Sequence, residues 1–336
     1  MNNINAAIVI LLMLSALFLS SCFENEVPVK PFPRGDVKVT VIPMTSDYTN
    51  QFYYSFEKNQ IVKENRYDIW DLAFQCYGED FYILLNGAKF MEAADMGQID
   101  FESVKDRNNA NFKYDSTNGG FDDYAIGKWW TASGDSAISK NHVYIVNRGR
   151  DNNSKKMGYV KMQIISADKL FFTVRFADLD GKNDNTVNIL RKSDLNYMMF
   201  SFNDSGIILE LEPPKSEWDI EFTRMIGFLP FENSLLPYGV TGIMINHTST
   251  EVYKDSVVKF ADIQLSDVEN FTFSQNPGYI GHDWKNFELN GEVYTPKIYM
   301  NFVFKDTYGF YWKFRFVDFY SEEGQRGYPK FEFKKL

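Results

Sequence analysis

Apolar and polar residues alternate with period two along many short stretches of this chain. In Trp70-Asp71-Leu72-Ala73-Phe74 the residues Trp70, Leu72 and Phe74 share one face with Cys76, and Asp71 lies on the other. Near the C-terminus Trp312, Phe314 and Phe316 alternate with Tyr311, Lys313 and Arg315. This is the spacing of half-buried strands. Turn signals separate the runs: Asn86-Gly87, Asn118-Gly119-Gly120, Asp180-Gly181, Asn290-Gly291 and Tyr308-Gly309. Helical spacing is weak, and the best candidate is a short helix around Glu92 to Met96. The pattern predicts an all-β protein with little helix.

The strand pattern repeats. Ile69 to Phe74 returns as Glu217-Trp218-Asp219-Ile220-Glu221-Phe222, and its flanks return in the same order. Tyr54-Ser55-Phe56 matches Phe200-Ser201-Phe202, and Ile83 to Asn86 matches Ile243 to Asn246. Phe101 to Val104 matches Phe260 to Ile263, and Trp130 matches Trp284. Val143 to Ile145 matches Ile298 to Met300, and Tyr159 to Met162 matches Tyr311 to Phe314. Val174 to Phe176 matches Phe331 to Phe333. The connection before Ile243 is longer in the second copy and includes Pro230 and Pro237. These matches predict two tandem antiparallel units, 37–180 and 197–336, joined by a polar linker at 181–196. Each unit has an apolar sheet face that needs a cover.

Composition narrows the function classes. The chain has 336 residues, 31 Phe and 20 Tyr, enough for a large core rich in strand-forming residues. Its net charge of −10 repels phosphate backbones and anionic headgroups, so nucleic acid and peripheral membrane binding are disfavoured, and membrane contact is expected only through an N-terminal lipid anchor.

Ala6 to Leu19 is apolar except for Ser15 and ends in Leu19-Ser20-Ser21-Cys22, a pattern similar to a bacterial lipobox. It predicts a signal peptide over 1–21 and lipid attachment at Cys22. A Pro-bearing tether follows over 22–36. Lipidation of Cys22 leaves Cys76 alone, on the apolar face of its strand, where it reads as packing.

The order of these blocks resembles the HmuY-like haemophore family. In the first copy the resemblance rests on Phe52 to Phe56, Trp70 to Phe74, Asn86-Gly87, Trp130 and Tyr159 to Met162. In the second it rests on Phe200 to Phe202, Trp218 to Phe222, Asn246, Trp284 and Tyr311 to Phe316. The resemblance implies an all-β lipoprotein, here in tandem form, anchored through its N-terminal lipid in the bacterial outer membrane on the cell surface or periplasmic face. It implies haem as cofactor, the iron held between His or Met side chains on loops. Arg107 to Lys128 and Thr131 to Asn141 contain neither residue, nor do Gln264 to Gly281 and Lys285 to Lys297. The candidate ligands are therefore His282, beside an Asp283 able to orient its ring, and Met91 and Met96 in the loop after Asn86-Gly87.

Two other readings are carried. The fold is a binding module for a glycan, peptide or surface partner protein, with Trp129, Trp130 and Trp284 as exposed stacking platforms. Or it is a hydrolase of surface polymers, which needs a pocket with two convergent carboxylates. Metalloprotease, nucleophile-elbow and nucleotide-binding motifs are absent from the sequence, so the expectation is a binding protein and not an enzyme. Asp178, Asp180, Asn183 and Asp184 lack the spacing of a calcium loop and read as a solvated turn.

Overall fold

The computed structural model describes residues 35–116, 123–232, 234–288 and 292–336, and Gly35–Leu336 form one compact unit. The lipobox and Cys22 lie outside the described residues. The protein is all-β. Its first strands are Lys38–Val41 (β1), Asn50–Ser55 (β2), Gln60–Arg66 (β3), Leu72–Gln75 (β4), Ile83–Leu85 (β5), Glu92–Asp95 (β6), Trp130–Ser133 (β7), Ser136–Ser139 (β8), Val143–Asn147 (β9), Tyr159–Asp168 (β10) and Phe171–Asp178 (β11). Then follow Asn185–Leu190 (β12), Tyr197–Ser201 (β13), Ile207–Leu209 (β14), Ile220–Phe231 (β15), Ser234–Ile245 (β16), Glu251–Asp255 (β17), Lys285–Glu288 (β18), Val293–Pro296 (β19), Asn301–Lys305 (β20), Tyr311–Tyr320 (β21) and Arg326–Lys335 (β22). Among the described residues, the helical segments are short 3-10 turns, and no helix is long and apolar enough to cross a membrane.

β1 to β11 and β12 to β22 correspond strand for strand. One large sheet runs β1-β22-β21-β20-β17, and the other contains the equivalent path β12-β11-β10-β9-β6. The four-stranded sheets are β3-β2-β15-β16 and β14-β13-β4-β5. These orders show that the opening strands of each copy are exchanged. β2 pairs with β15 of the second copy, β13 pairs with β4 of the first, and β1 lies beside β22.

The cores follow the exchange, so the boundaries 37–180 and 197–336 cut across them. One core is built by side chains from Leu72 to Phe202. The other joins Ile42 to Phe56 with Ile220 to Phe333. Residues 181–196, expected to be a linker, supply β12, paired along its length with β11. Glu92 to Asp95 is a strand and not a helix. β9 offers it a ladder, and Ala93 and Ala94 are buried there. One sequence match shifts in register. Lys161 faces Ile145 and Lys313 faces Val303, so Val143 to Ile145 correspond to Asn301 to Val303 rather than to Ile298 to Met300.

The repeated Trp-Asp pair locks the exchange. Asp71 accepts the backbone N–H of Phe202 at 2.8 Å, and its own N–H donates to the Phe200 carbonyl at 2.7 Å. Asp219 accepts the N–H of Phe56 at 2.8 Å and donates to the Tyr54 carbonyl at 2.9 Å. The repeated Asn holds the loop in front of each Trp. Asn86 donates to the carbonyls of Tyr67 and Trp70, and Asn246 to those of Lys215 and Trp218. A repeated buried lysine does similar work. Lys161 donates to the carbonyls of Phe101 and Val104, and Lys313 to those of Phe260, Ala261 and Ile263.

The two clasps differ in charge. Asp71 is fully buried and paired with Lys89 at 2.5 Å and Arg148 at 2.9 Å. Burial alone would raise its pKa, but the two cations outweigh that and hold it below the ordinary value. Gly149 makes this packing possible, because a Cβ there would sit 1.9 Å from the Lys89 carbonyl oxygen. Among the described residues Asp219 has only backbone donors, from Phe56 and Thr307, and burial pushes its pKa up to about 7.

Equivalent substitutions therefore have unequal costs. Asp71→Asn leaves two buried cations without a carboxylate and is expected to cost about 3–5 kcal/mol. Asp219→Asn loses one hydrogen bond, about 1 kcal/mol. Urea unfolding at pH 7 measures both, and equal losses would refute the difference.

Candidate functional site

Strand alternation gives each four-stranded sheet two buried faces. Leu72 and Phe74 enter the first core while Ala73 points away, and Met198 and Phe200 enter while Tyr197 and Met199 point away. Phe52, Tyr54, Ile220 and Phe222 enter the second core, leaving Gln51, Tyr53, Glu221 and Thr223 on the other side. These second faces oppose one another across a cavity of about 350 Å³. That volume is in the range of small-molecule sites.

The cavity wall is mixed. Met199, Met225 and Met244 bring thioethers, and Trp70, Tyr53, Tyr124 and Tyr197 bring rings. His282 comes from the loop before Trp284, and Arg224 from β15. The His282 ring packs edge-on against Tyr238 with centroids 6.1 Å apart. Burial first, and Lys285 second, hold its pKa below the ordinary value, so the imidazole is neutral, the form that ligates metal. Asp283 does not orient that ring: its carboxylate pairs with Lys254 at 3.3 Å. Arg224 lies over the Tyr67 ring at 4.5 Å and donates to its hydroxyl at 2.9 Å; its guanidinium pairs with no carboxylate among the described residues.

Three acids line the cavity, and one of them, Asp283, is paired with Lys254. Both oxygens of Asp115 serve the backbone, accepting from Leu85 N–H at 2.6 Å and Ala125 N–H at 2.8 Å. Burial pushes its pKa up to about 7. Glu221 is enclosed by protein yet keeps part of its surface towards the cavity. Burial pushes it up to about 8, and a hydrogen bond from Tyr53 only partly opposes that. Tyr53 in turn accepts from Gln51 Nε2 at 3.0 Å. With Asp115 committed to its loop, Glu221 is the acid free to meet a ligand.

The remaining sequence candidates lie elsewhere. Met91 is a packing residue of the first core, and Met96 packs half-buried against a satellite cluster around Phe101 and Val143. Neither lines the cavity: they flank β6 and pack into two other clusters. Trp129, Trp130 and Trp284 are 2%, 2% and 1% exposed, which removes the exposed stacking platforms. Trp284 stacks on Phe316 at 3.9 Å, and Trp129 donates to the Phe81 carbonyl at 2.7 Å. His142 pairs with Asp95 at 2.9 Å near the surface. His247 is bonded to Tyr77 at 2.7 Å, and burial depresses its pKa to about 4. Asp184 and Asp180 are taken by Arg175 and Lys182, and no cluster of metal-binding side chains occurs among the described residues. Sequence reasoning missed Met225, Met244, Glu221 and Arg224. For Glu221 and Met225 the signal was alternation on β15, where 221, 223 and 225 share a face; Met244 joins that face by pairing opposite Glu221, and Arg224 is out of phase with it.

The fold is thus an all-β body with a partly open, partly polar cavity between its two four-stranded sheets. The profile of the HmuY protein family matches residues 47–333 as one span, and the chain belongs to that family. No curated protein sequence matches it. Three solved structures are similar at low identity. Apo PinO from Porphyromonas gingivitis is 10% identical over 90% of this chain and 98% of that one, with a TM-score of 0.27. A candidate lipoprotein from Bacteroides fragilis is 12% identical over 90% and 92%, with a TM-score of 0.23. The apo HmuY analog of Tannerella forsythia is 11% identical over 91% and 99%, with a TM-score of 0.20. At those scores they stand as likenesses only.

The buried acids predict an inverted stability profile. Asp115 and Asp219 titrate near 7, and Glu212 and Glu221 near 8, all raised first by burial. The folded state therefore holds extra protons from about pH 4 upwards, and stability falls as pH rises through that window. His247, depressed to about 4, and the lowered His282 oppose this only below about pH 6.5. Lys285, depressed by burial to about 7, restores stability above that value. The four acids outnumber the opposing groups, so the melting temperature should fall from about pH 4 to a minimum near pH 8. A fall of about 5 °C is expected, at roughly 2–4 °C per kcal/mol. A melting temperature that rises from pH 5 to pH 8 would contradict this electrostatic picture.

Proposed function

We propose that this protein is a ligand-binding lipoprotein of the bacterial envelope that takes haem or a related porphyrin into the cavity between the four-stranded sheets. The observation that carries the reading is the position of His282: the sequence candidate with the best ligand chemistry lines that cavity together with three methionines. A neutral imidazole and a thioether are suitable axial ligands for haem iron. Arg224, with no acid of its own, suits a propionate carboxylate. Met91 and Met96, packed elsewhere, drop out of the ligand set. Cys22 supplies the membrane attachment, and the binding chemistry needs no catalytic group.

Haemin titration of the chain from residue 23 tests this. We expect a shifted Soret band, and in His282→Ala an affinity loss of at least about tenfold. Met91→Leu with Met96→Leu leaves the spectrum unchanged. No spectral change at micromolar protein would end the haem reading.

Glu221 favours a second reading. With Gln51 and Tyr53 it forms a hydrogen-bonding floor, suited to a hydroxyl- or amide-bearing ligand such as a glycan or peptide end. The hydrolase reading loses its second acid, because Asp115 is held by two backbone donors.

A further inference from the structure

The two large sheets carry equivalent rows of three cross-strand neighbours, and the rows differ at one residue. On the first sheet Glu92 of β6 faces Asn147 of β9, which faces Tyr159 of β10. On the second, Glu251 of β17 faces Lys305 of β20, which faces Tyr311 of β21. Residues directly opposite in a ladder share a face. Each Tyr ring packs on an equivalent Phe, Phe112 at 5.7 Å and Phe273 at 5.8 Å. In the second copy the middle residue brings its own ammonium: Lys305 Nζ lies 3.7 Å from the Glu251 carboxylate and 6.0 Å from the centre of the Tyr311 ring. In the first copy Asn147 carries no charge. Glu92 has neutral donors, Asn147 Nδ2 at 2.9 Å and the Tyr114 hydroxyl, and among the described residues no ion pair includes it.

The row of the first copy opens on a cavity of about 460 Å³, lined by Glu92, Asn147 and the rings of Phe90, Tyr114 and Tyr159. Two exposed bases, Arg150 and Lys156, also line it. They are bridged as an antiparallel pair across a turn, which sets them on one side of it. The one acid of that turn, Asp151, gives a side-chain oxygen to the N–H groups of Asn153 and Lys155, both at 2.9 Å. Among the described residues neither base has an ion pair. Arg107, which does not line the cavity, lies 4.4 Å from the centre of the Tyr159 ring and helps to hold it.

We infer that this cavity is a second binding site, for the zwitterionic ends of a short peptide. The peptide ammonium takes the place that Lys305 fills in the second copy, against the carboxylate of Glu92 and the ring of Tyr159. The peptide carboxylate is met by Arg150 and Lys156, and an apolar side chain by Phe90 and Tyr114. Such a ligand answers both charges of the cavity, an acid without a cation and two bases without an acid. An acidic sugar would use the bases but set a like charge near Glu92, and a plain amine would leave the bases unmatched. The volume is in the range of small-molecule sites. No residue is shared with the cavity between the four-stranded sheets, so the inference stands apart from the haem reading.

Titration of the chain from residue 23 with alanylphenylalanine, followed by calorimetry and ligand-observed NMR, tests this. We expect a dissociation constant of about 1 mM or tighter. N-acetylalanylphenylalanine lacks the ammonium and alanylphenylalanine amide lacks the carboxylate, and each should bind at least about tenfold more weakly. Asn147→Lys copies the second sheet and sets an internal ammonium on Glu92, so it should weaken dipeptide binding at least about tenfold. Glu92→Gln should do the same, and thermal melts check that both variants are folded. No binding at about 10 mM dipeptide overturns the proposal. So does equal affinity for the acetylated peptide, or unchanged binding in folded Asn147→Lys. Binding of glucuronate in place of the dipeptide would assign the cavity to an acidic sugar and overturns it as well. None of these results depends on whether the other cavity binds haemin.

Discussion

Two buried carboxylates hold this molecule together by fastening each copy's opening strand to the other copy. The ladders they close are short. β4 meets β13 over Leu72 to Gln75, and β2 meets β15 over three residue pairs. Such ladders need an end stop, and Asp71 and Asp219 supply it. Each takes the N–H just past the strand end and returns its own N–H to the carbonyl two residues earlier. A side chain able to accept from the backbone while its own main chain donates is what the repeated Trp-Asp pair provides.

The exchange makes the two copies mutually dependent. Phe200 and Phe202 complete the first core, and Phe52, Tyr54 and Phe56 complete the second. A chain cut near residue 180 would leave one core without those aromatic side chains and the other without its strands, so burial on the scale of several large residues is lost from both. The exchange also presses the outer faces of the four-stranded sheets towards each other. That is why the interface is polar: these are the positions that alternation keeps out of both cores. Asn196, Glu212 and Asn246 bridge it by hydrogen bonds at 2.6 and 2.9 Å. The cavity is the part of this interface that side chains do not fill.

Strand type and the duplication were legible because period two and the order of aromatic blocks are local properties. The partner of each strand was not. Asp71 and Asp219 read as residues on the face opposite the apolar set, and nothing in their spacing tells a solvated carboxylate from one that caps a strand of the other copy. Trp130 and Trp284 follow polar loops and looked exposed, yet both are sealed by packing from distant strands. Met91 had the right chemistry, but its burial depends on β9, some fifty residues later. His282 was legible because an isolated His in a loop is conspicuous. Glu221, Met225 and Met244 were not, because their importance comes from facing a second sheet. The HmuY resemblance stood on framework residues and held, whereas the position of a side chain on a loop follows loop geometry that local spacing does not encode.

The copies share a framework but divide their roles. In the first lobe Lys89 and Arg148 neutralise Asp71. In the second lobe Asp219 is left to backbone donors and Lys285 to the carbonyl of Thr241, each with a pKa displaced by burial. The same lobe contributes His282, Met225, Met244 and Glu221 to the cavity and carries the long β15–β16 arm. Uncompensated buried charge lowers stability, and proteins tolerate it chiefly where it serves a site. The first lobe thus neutralises the carboxylate of its own clasp, whereas among the described residues the second leaves Asp219 without a cation and supplies His282, Met225, Met244 and Glu221 to the cavity wall.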